Sequence, residues 1–283
     1  MVNILAGVDE IATETQQVSG WCYFVLNEEN YIAFENEVKY LLSQSKIVTA
    51  FHGKKFKMEQ SDEYKDFLKI IRKYTESSFP SLMCCTLNNP TWNQQYLNFC
   101  DNLFTNVLTR VGVADTELVN ITKQFVGPLF SFQRLTQNFL IPSMVSIEVD
   151  SDDVKEKFKG ASTKIKGFEF GADFLLEHFY NIYRKYQFEK SPYLLRNGVT
   201  VLKDQKSLLI QAADVIGNFS TSYIYHRLGN ISKSRIRKAE IFENVFGDKF
   251  ASQDISSQVE LMGHNDLKLK FDGAFSLTMG HYE

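Results

Sequence analysis

The stretch from Ser207 to Gly229, SLLIQAADVIGNFSTSYIYHRLG, limits what this chain can fold into more than any other segment. Between Leu208 and Tyr225 it holds no Lys, Arg or Glu, and Asp214 is its one charge. Read as a helix, it puts Ser207, Gln211, Asp214, Asn218 and Thr221 on one face. Leu208, Ala212, Val215, Ile216, Phe219 and Tyr223 lie off that face, on a packing side. A solvated helix face carries Lys, Glu and Arg, so this helix is fit for an interior. A lone carboxylate there is costly unless it is paired or metal-bound. Asp214 is therefore a candidate site residue, with Ala213 and Gly217 small enough to let a neighbour approach closely.

The rest of the chain supplies a sheet for that helix to cover. VNILAGVDE at the N-terminus, QVSGWCYFVL, FPSLMCCTL, PSMVSIEVD and GVTVLKD are short apolar runs that read as strands. KIVTAFH reads as a short strand or extended segment. NYIAFENEVKYLLSQ has a helical period at Ile32, Phe34, Val38, Leu41 and Leu42. SDEYKDFLKIIRKYTES opens with Ser61 as an expected N-cap and acids in its first turn. Residues from about 91 to 140 read as mainly helical, and FEFGADFLLEHFYNIYRKYQ and SKSRIRKAEIFENVFG as further helices. The alternation in LKLKF predicts a terminal hairpin or edge addition. The expected fold is α/β, a mixed central sheet flanked by helices, with its first strand near the centre. Residues 1–230 are expected to form the main domain, with a helical insertion at about 91–140, and 231–283 a C-terminal helix and hairpin extension.

Composition narrows the function classes. The net charge of −3 rules out whole-molecule attraction to nucleic acid, so any such binding needs a local basic patch. Cys22, Cys84, Cys85 and Cys100 form no C-x-x-C pair, which argues against structural zinc and for reduced, buried thiols. No run approaches ~18 apolar residues, and the N-terminus lacks the basic start of a signal peptide. A cytoplasmic protein with no membrane partner is the expectation.

Two strand ends carry acids. Asp9 and Glu10 close the first apolar run, and Asp150 closes MVSIEVD, with Glu148 on the same strand. Carboxylates from three separate elements, Asp9, Asp150 and Asp214, can hold two divalent ions about 4 Å apart, which clamp the attacking and leaving oxygens of a phosphodiester. Glu148 or Asp152 are alternatives to Asp150 as the middle acid. Basic runs lie next in sequence to these acids. AFHGKKFK brings His52, Lys54, Lys55 and Lys57; KEKFKGASTKIK brings Lys155, Lys157, Lys159, Lys164 and Lys166; KSRIRK follows the polar-striped helix. Taken alone, each run also fits an ordinary solvated face. Together they make a basic rim for a phosphate backbone around an acidic centre.

GVDE on the first strand, FHGKKF after the first long helix, SIEVD on a middle strand and VLKDQKSLLIQAADVIGNF near the end occur in that order. The chain thereby resembles the bacterial DUF3800 family, a group with an RNase H-like fold, over about residues 2–228. The resemblance implies a metal-dependent nuclease using Mg²⁺ or Mn²⁺, with a place in prokaryotic or phage defence. It implies Asp9, Glu10, His52, Asp150 and Asp214 as catalytic residues, the three aspartates among them as metal ligands. Lys54, Lys55 and Gln211 would contact a nucleic-acid substrate. The helical segment at 91–140, which the resemblance does not cover, is expected to be a capping subdomain or to form a homodimer. Ile11-Ala12 stands where the family has Ser-Gly. That departure keeps open the alternative of a non-catalytic RNase H-like module that binds nucleic acid or a partner protein. A helical ribonuclease of the Arg-x4–6-His type does not fit, because no His follows any Arg at that spacing.

Overall fold

A computed structural model describes residues 2–10, 18–47, 49–77, 81–87, 143–150, 193–227, 232–247, 266–270 and 275–280. The expected helical insertion at 91–140, the basic run at 155–166, Asp152 and the helix from Phe168 lie outside the described residues.

The strands are β1 (Val2–Glu10), β2 (Val18–Asn27), β3 (Ser81–Leu87), β4 (Ser143–Asp150), β5 (Tyr193–Leu202), β6 (Asp266–Lys270) and β7 (Phe275–Gly280). They form one mixed sheet in the order β5-β4-β1-β2-β3-β7-β6. β1 runs parallel to β4 and antiparallel to β2, and β4 runs parallel to β5. The first strand is thus internal, as its uninterrupted apolar run predicts, since a strand flanked on both sides exposes no edge. The LKLK alternation lies in β6, which pairs antiparallel with β7 at the edge of the sheet.

The helices are α1 (Glu28–Gln44), α2 (Ser61–Ser77), α3 (Leu208–Arg227) and α4 (Lys233–Phe246). Asn27 caps α1, its side chain accepting from the Glu29 N–H at 3.3 Å. Phe34 and Val38 of α1 are buried, whereas Ile32 is 68% exposed. Ile32 lies two residues before Phe34, a little over half a turn away, and so faces the opposite side. Ser61 does not cap α2 as expected. A 3-10 turn at Met58–Gln60 runs straight into the helix and leaves Ser61 helical, its hydroxyl donating back to the Met58 carbonyl at 2.6 Å.

One face of the sheet meets α1, α2 and α3, and α4 packs on α2 and α3. Cys22, Phe24 and Leu26 from β2 join Phe34, Val38, Phe67, Leu68, Ala212, Val215, Ile216, Phe219 and Phe242 in a single apolar core. The packing side read for α3 is buried except for half-buried Leu208, and Ser207, Gln211, Asp214 and Thr221 of the polar stripe are buried as well. Two glycines set how closely parts approach. A Cβ on Gly7 of β1 would lie 2.2 Å from the Leu209 carbonyl carbon, so α3 rests backbone to backbone on the strand. A Cβ on Gly53 would lie 2.4 Å from the Asn218 Cβ, so the 50–57 loop presses directly against the same helix.

Candidate functional site

Register puts Asp9 of β1 and Glu148 and Asp150 of β4 on the helix-bearing face. Gly7 pairs with Phe24 and Glu148, and Asp9 pairs with Cys22. Phe24 and Cys22 belong to the core under the helices, so Gly7, Asp9 and Glu148 share that side. The parallel register runs Gly7 to Glu148 and Val8 to Val149, so Asp9 and Asp150 come next, at the carboxyl ends of neighbouring strands. Asp150 lies two residues beyond Glu148 and therefore on the same face. Asp9 is buried and Asp150 half-buried. The carboxyl edge of parallel strands is where open α/β sheets place their ligands.

Glu148 is already engaged. Ser207 caps α3, its hydroxyl oxygen accepting the Ile210 N–H at 3.0 Å, and the same hydroxyl donates to Glu148 Oε2 at 2.5 Å. Burial raises the Glu148 carboxyl above the ordinary carboxylate range, and the Ser207 hydrogen bond partly offsets this. Its role is to anchor the start of α3 on β4.

The polar stripe of α3 meets the 50–57 loop. Three consecutive backbone N–H groups of that loop donate to three buried side chains. Phe51 N–H donates to Gln211 Oε1 at 3.1 Å, His52 N–H to Tyr64 Oη at 3.1 Å, and Gly53 N–H to Asp214 Oδ2 at 2.8 Å. The Tyr64 hydroxyl in turn donates to the His52 carbonyl at 2.7 Å. Gln211 Nε2 donates to the Asp204 carbonyl at 3.0 Å, and Asn218 Nδ2 to Asp214 Oδ1 at 2.8 Å. Rings fix the loop from below: Phe51 stacks on Phe67 at 4.2 Å, and Phe56 meets both Tyr64 and Phe219 edge-on at 5.2 and 5.3 Å. Burying each such ring contributes about 1.5–3 kcal/mol.

What the loop presents is the His52 imidazole. Its Nδ1 is 2.8 Å from Asp204 Oδ2 and 3.6 Å from Asp214 Oδ2. Its Nε2 is 3.4 Å from Lys55 Nζ. Lys54, Lys55 and Lys57 are exposed. Behind the loop, Lys238 of α4 is 7% exposed, its ammonium 5.8 Å from the ring centres of both Phe56 and Phe219. Burial pushes it down to about 8, against the opposing pull of the Asp214 carboxylate. Burial also pushes the Tyr64 hydroxyl up to about 12, so it stays a neutral donor and acceptor across the ordinary pH range.

The described residues thus bring together His52, Gln211 and Asp214 and add Asp204 and Tyr64, which sequence reading passed over, while Lys238, read as part of the basic rim in KSRIRK, is buried behind the loop and faces no solvent rim. Asp204 lies between Lys203 and Gln205-Lys206 in a turn that reads as a solvated loop. Among the described residues, no three His, Cys, Asp or Glu side chains gather at metal-binding spacing, and no helix is long and apolar enough to cross a membrane. No family model, no curated protein and no solved structure matches the chain.

Proposed function

We propose that the protein hydrolyses phosphodiester bonds of nucleic acid with the help of a divalent ion, on an RNase H-like framework of the DUF3800 kind. The observation that carries this reading is the register of β1 and β4, which brings Asp9 and Asp150 to the carboxyl edge on one face. Two carboxylates suit Mg²⁺ or Mn²⁺, because Mg²⁺ is commonly held by one or two carboxylates with water and substrate phosphate completing its shell. Among the described residues no three such side chains gather at metal-binding spacing, so water and substrate would complete the ion's shell. Such an ion supplies Lewis acidity and a more acidic bound water.

The chain's own residues do the rest. Lys54 and Lys55 supply positive charge for the phosphate backbone. The loop that carries them is held rigid by Gln211, Tyr64 and Asp214, so the His52 ring is fixed in place before substrate arrives. In this reading Asp214 serves the loop, its two oxygens bonded to Gly53 and Asn218, and Asp9 and Asp150 serve the ion.

The test is cleavage of labelled single- and double-stranded DNA and RNA with Mg²⁺, Mn²⁺ or EDTA, comparing wild type with Asp9→Asn and Asp150→Asn. Divalent-dependent cleavage lost in both variants is expected. Cleavage that persists in both would refute the site. Binding of nucleic acid with no cleavage under any condition would favour the non-catalytic module, to which the engaged state of Asp214 also lends support.

A further inference from the structure

We infer that Asp204 is a positioning residue for His52: it holds the imidazole as the Nδ1–H tautomer and leaves Nε2 as a proton acceptor on the Lys54–Lys55 side of the loop. This rests on the hydrolytic reading above for its use, but not for its geometry.

Three observations carry it. The Nδ1–Oδ2 separation of 2.8 Å is within hydrogen-bonding reach, and a carboxylate can only accept, so a bond there requires the proton on Nδ1. The other ring nitrogen has an ammonium donor, Lys55 Nζ, at 3.4 Å, which an unprotonated Nε2 accommodates and an Nε2–H does not. Asp204 itself is fixed. Its Oδ1 accepts the Gln205 N–H at 2.5 Å, its carbonyl accepts from Gln211 Nε2, and the Lys206 and Ser207 N–H groups close the turn around it. Gln211 therefore ties both ends of the pair, holding the Asp204 carbonyl with its amide nitrogen and the Phe51 N–H with its oxygen. The side chain exposures are 13% for His52 and 17% for Asp204, so the pair is sheltered yet reachable.

A carboxylate behind an imidazole sets its tautomer and stabilises the ring when it takes up a proton. In phosphodiester hydrolysis the water oxygen would bond to phosphorus while one of its protons passes to His52 Nε2. The bond to the leaving oxygen then breaks, and that oxygen takes the proton back from His52. Lys55, displaced from Nε2, is free to meet a phosphate oxygen.

The experiment labels the histidines of the full-length protein with ¹⁵N and reads the His52 ring shifts at a pH where the ring is neutral, with His52→Gln identifying the resonance. Wild type should show a protonated Nδ1 and a lone-pair Nε2. Asp204→Ala should move proton population to Nε2, whereas Asp204→Asn, whose amide oxygen still accepts, should retain more of the wild-type pattern. A wild-type proton on Nε2, or shifts unchanged in Asp204→Ala, overturns the inference. In parallel, turnover of bis(p-nitrophenyl) phosphate with Mn²⁺ is compared at saturating substrate. Asp204→Ala should lose about ten- to 100-fold in kcat with little change in KM. An Asp204→Ala protein with full kcat and an altered tautomer shows that His52 takes no proton in the reaction. If wild type turns over no phosphodiester, the hydrolytic reading falls, and the nitrogen shifts alone decide the role of Asp204.

Discussion

The Gly53 N–H donates to Asp214 Oδ2 at 2.8 Å across 161 residues of chain. This one bond explains an acid in the middle of an apolar helix. The carboxylate is there to receive a backbone donor that glycine alone can bring close enough, since a Cβ at position 53 would meet Asn218. Asp214→Ala strands both the Gly53 N–H and the Asn218 amide, and should cost about 3 kcal/mol. Hydrogen exchange should show faster exchange at Phe51, His52 and Gly53 while the amides of α1 keep their protection. Unaltered exchange at those three amides would contradict the stapled loop.

Glu148 and Asp150 separate cleanly by substitution. Glu148→Gln keeps an acceptor for the Ser207 hydroxyl and removes a buried charge. Because the folded carboxyl is raised, the folded state holds its proton more tightly than the unfolded one, so ionisation costs stability above the unfolded value. The variant should therefore melt at or above wild type near neutral pH, with the advantage fading as the pH falls below the ordinary glutamate range. It should retain cleavage, whereas Asp150→Asn should lose it. Loss of cleavage in Glu148→Gln with an intact fold would move the middle acid to Glu148.

Lys238 gives the fold a pH dependence on the alkaline side. Its folded value of about 8 lies below the ordinary 10.5, so between the two the unfolded state binds more protons and stability rises with pH. Lys238→Met should flatten that rise. Near neutral pH it should add at most about 3 kcal/mol, reduced by the lost attraction to Asp214. Denaturant midpoints measured from pH 7 to pH 10 check this, and an equally steep rise in the variant would show that another group is responsible.

Replacing Lys54, Lys55 and Lys57 together by Ala should leave the melting temperature within a degree or two of wild type, since all three are exposed. Nucleic-acid binding should weaken, and its logarithmic salt slope should fall by up to about three phosphate contacts. An unchanged slope would assign the lysines to ordinary solvation.

The sheet was legible because its evidence is local. β1 has no charge before Asp9, and such a run fits an internal strand. α3 was legible as buried for the same reason, and Asp214 stood out against it. What Asp214 and Gln211 contact was not legible, because a backbone N–H carries no residue-specific signature and the loop lies 160 residues upstream. Asp204 was missed because neighbouring lysines make its turn look solvated, although its carboxylate reaches His52. Ser61 was misread because Ser is a common cap, and only the preceding 3-10 turn decides whether its backbone is already helical.

The close seating of α3 on Gly7 also fixes when the molecule becomes competent during synthesis. β1 is made well before the helix that must lie on it, with β2, β3, β4 and β5 between them in the chain. Until then Phe24 and Phe51 lack their cover, and the amides of residues 51 and 53 have only water as partner. A nascent or clipped chain that stops short of residue 208 therefore leaves an apolar face uncovered. Chaperone dependence should concentrate in the window before that helix emerges and folds back on β1.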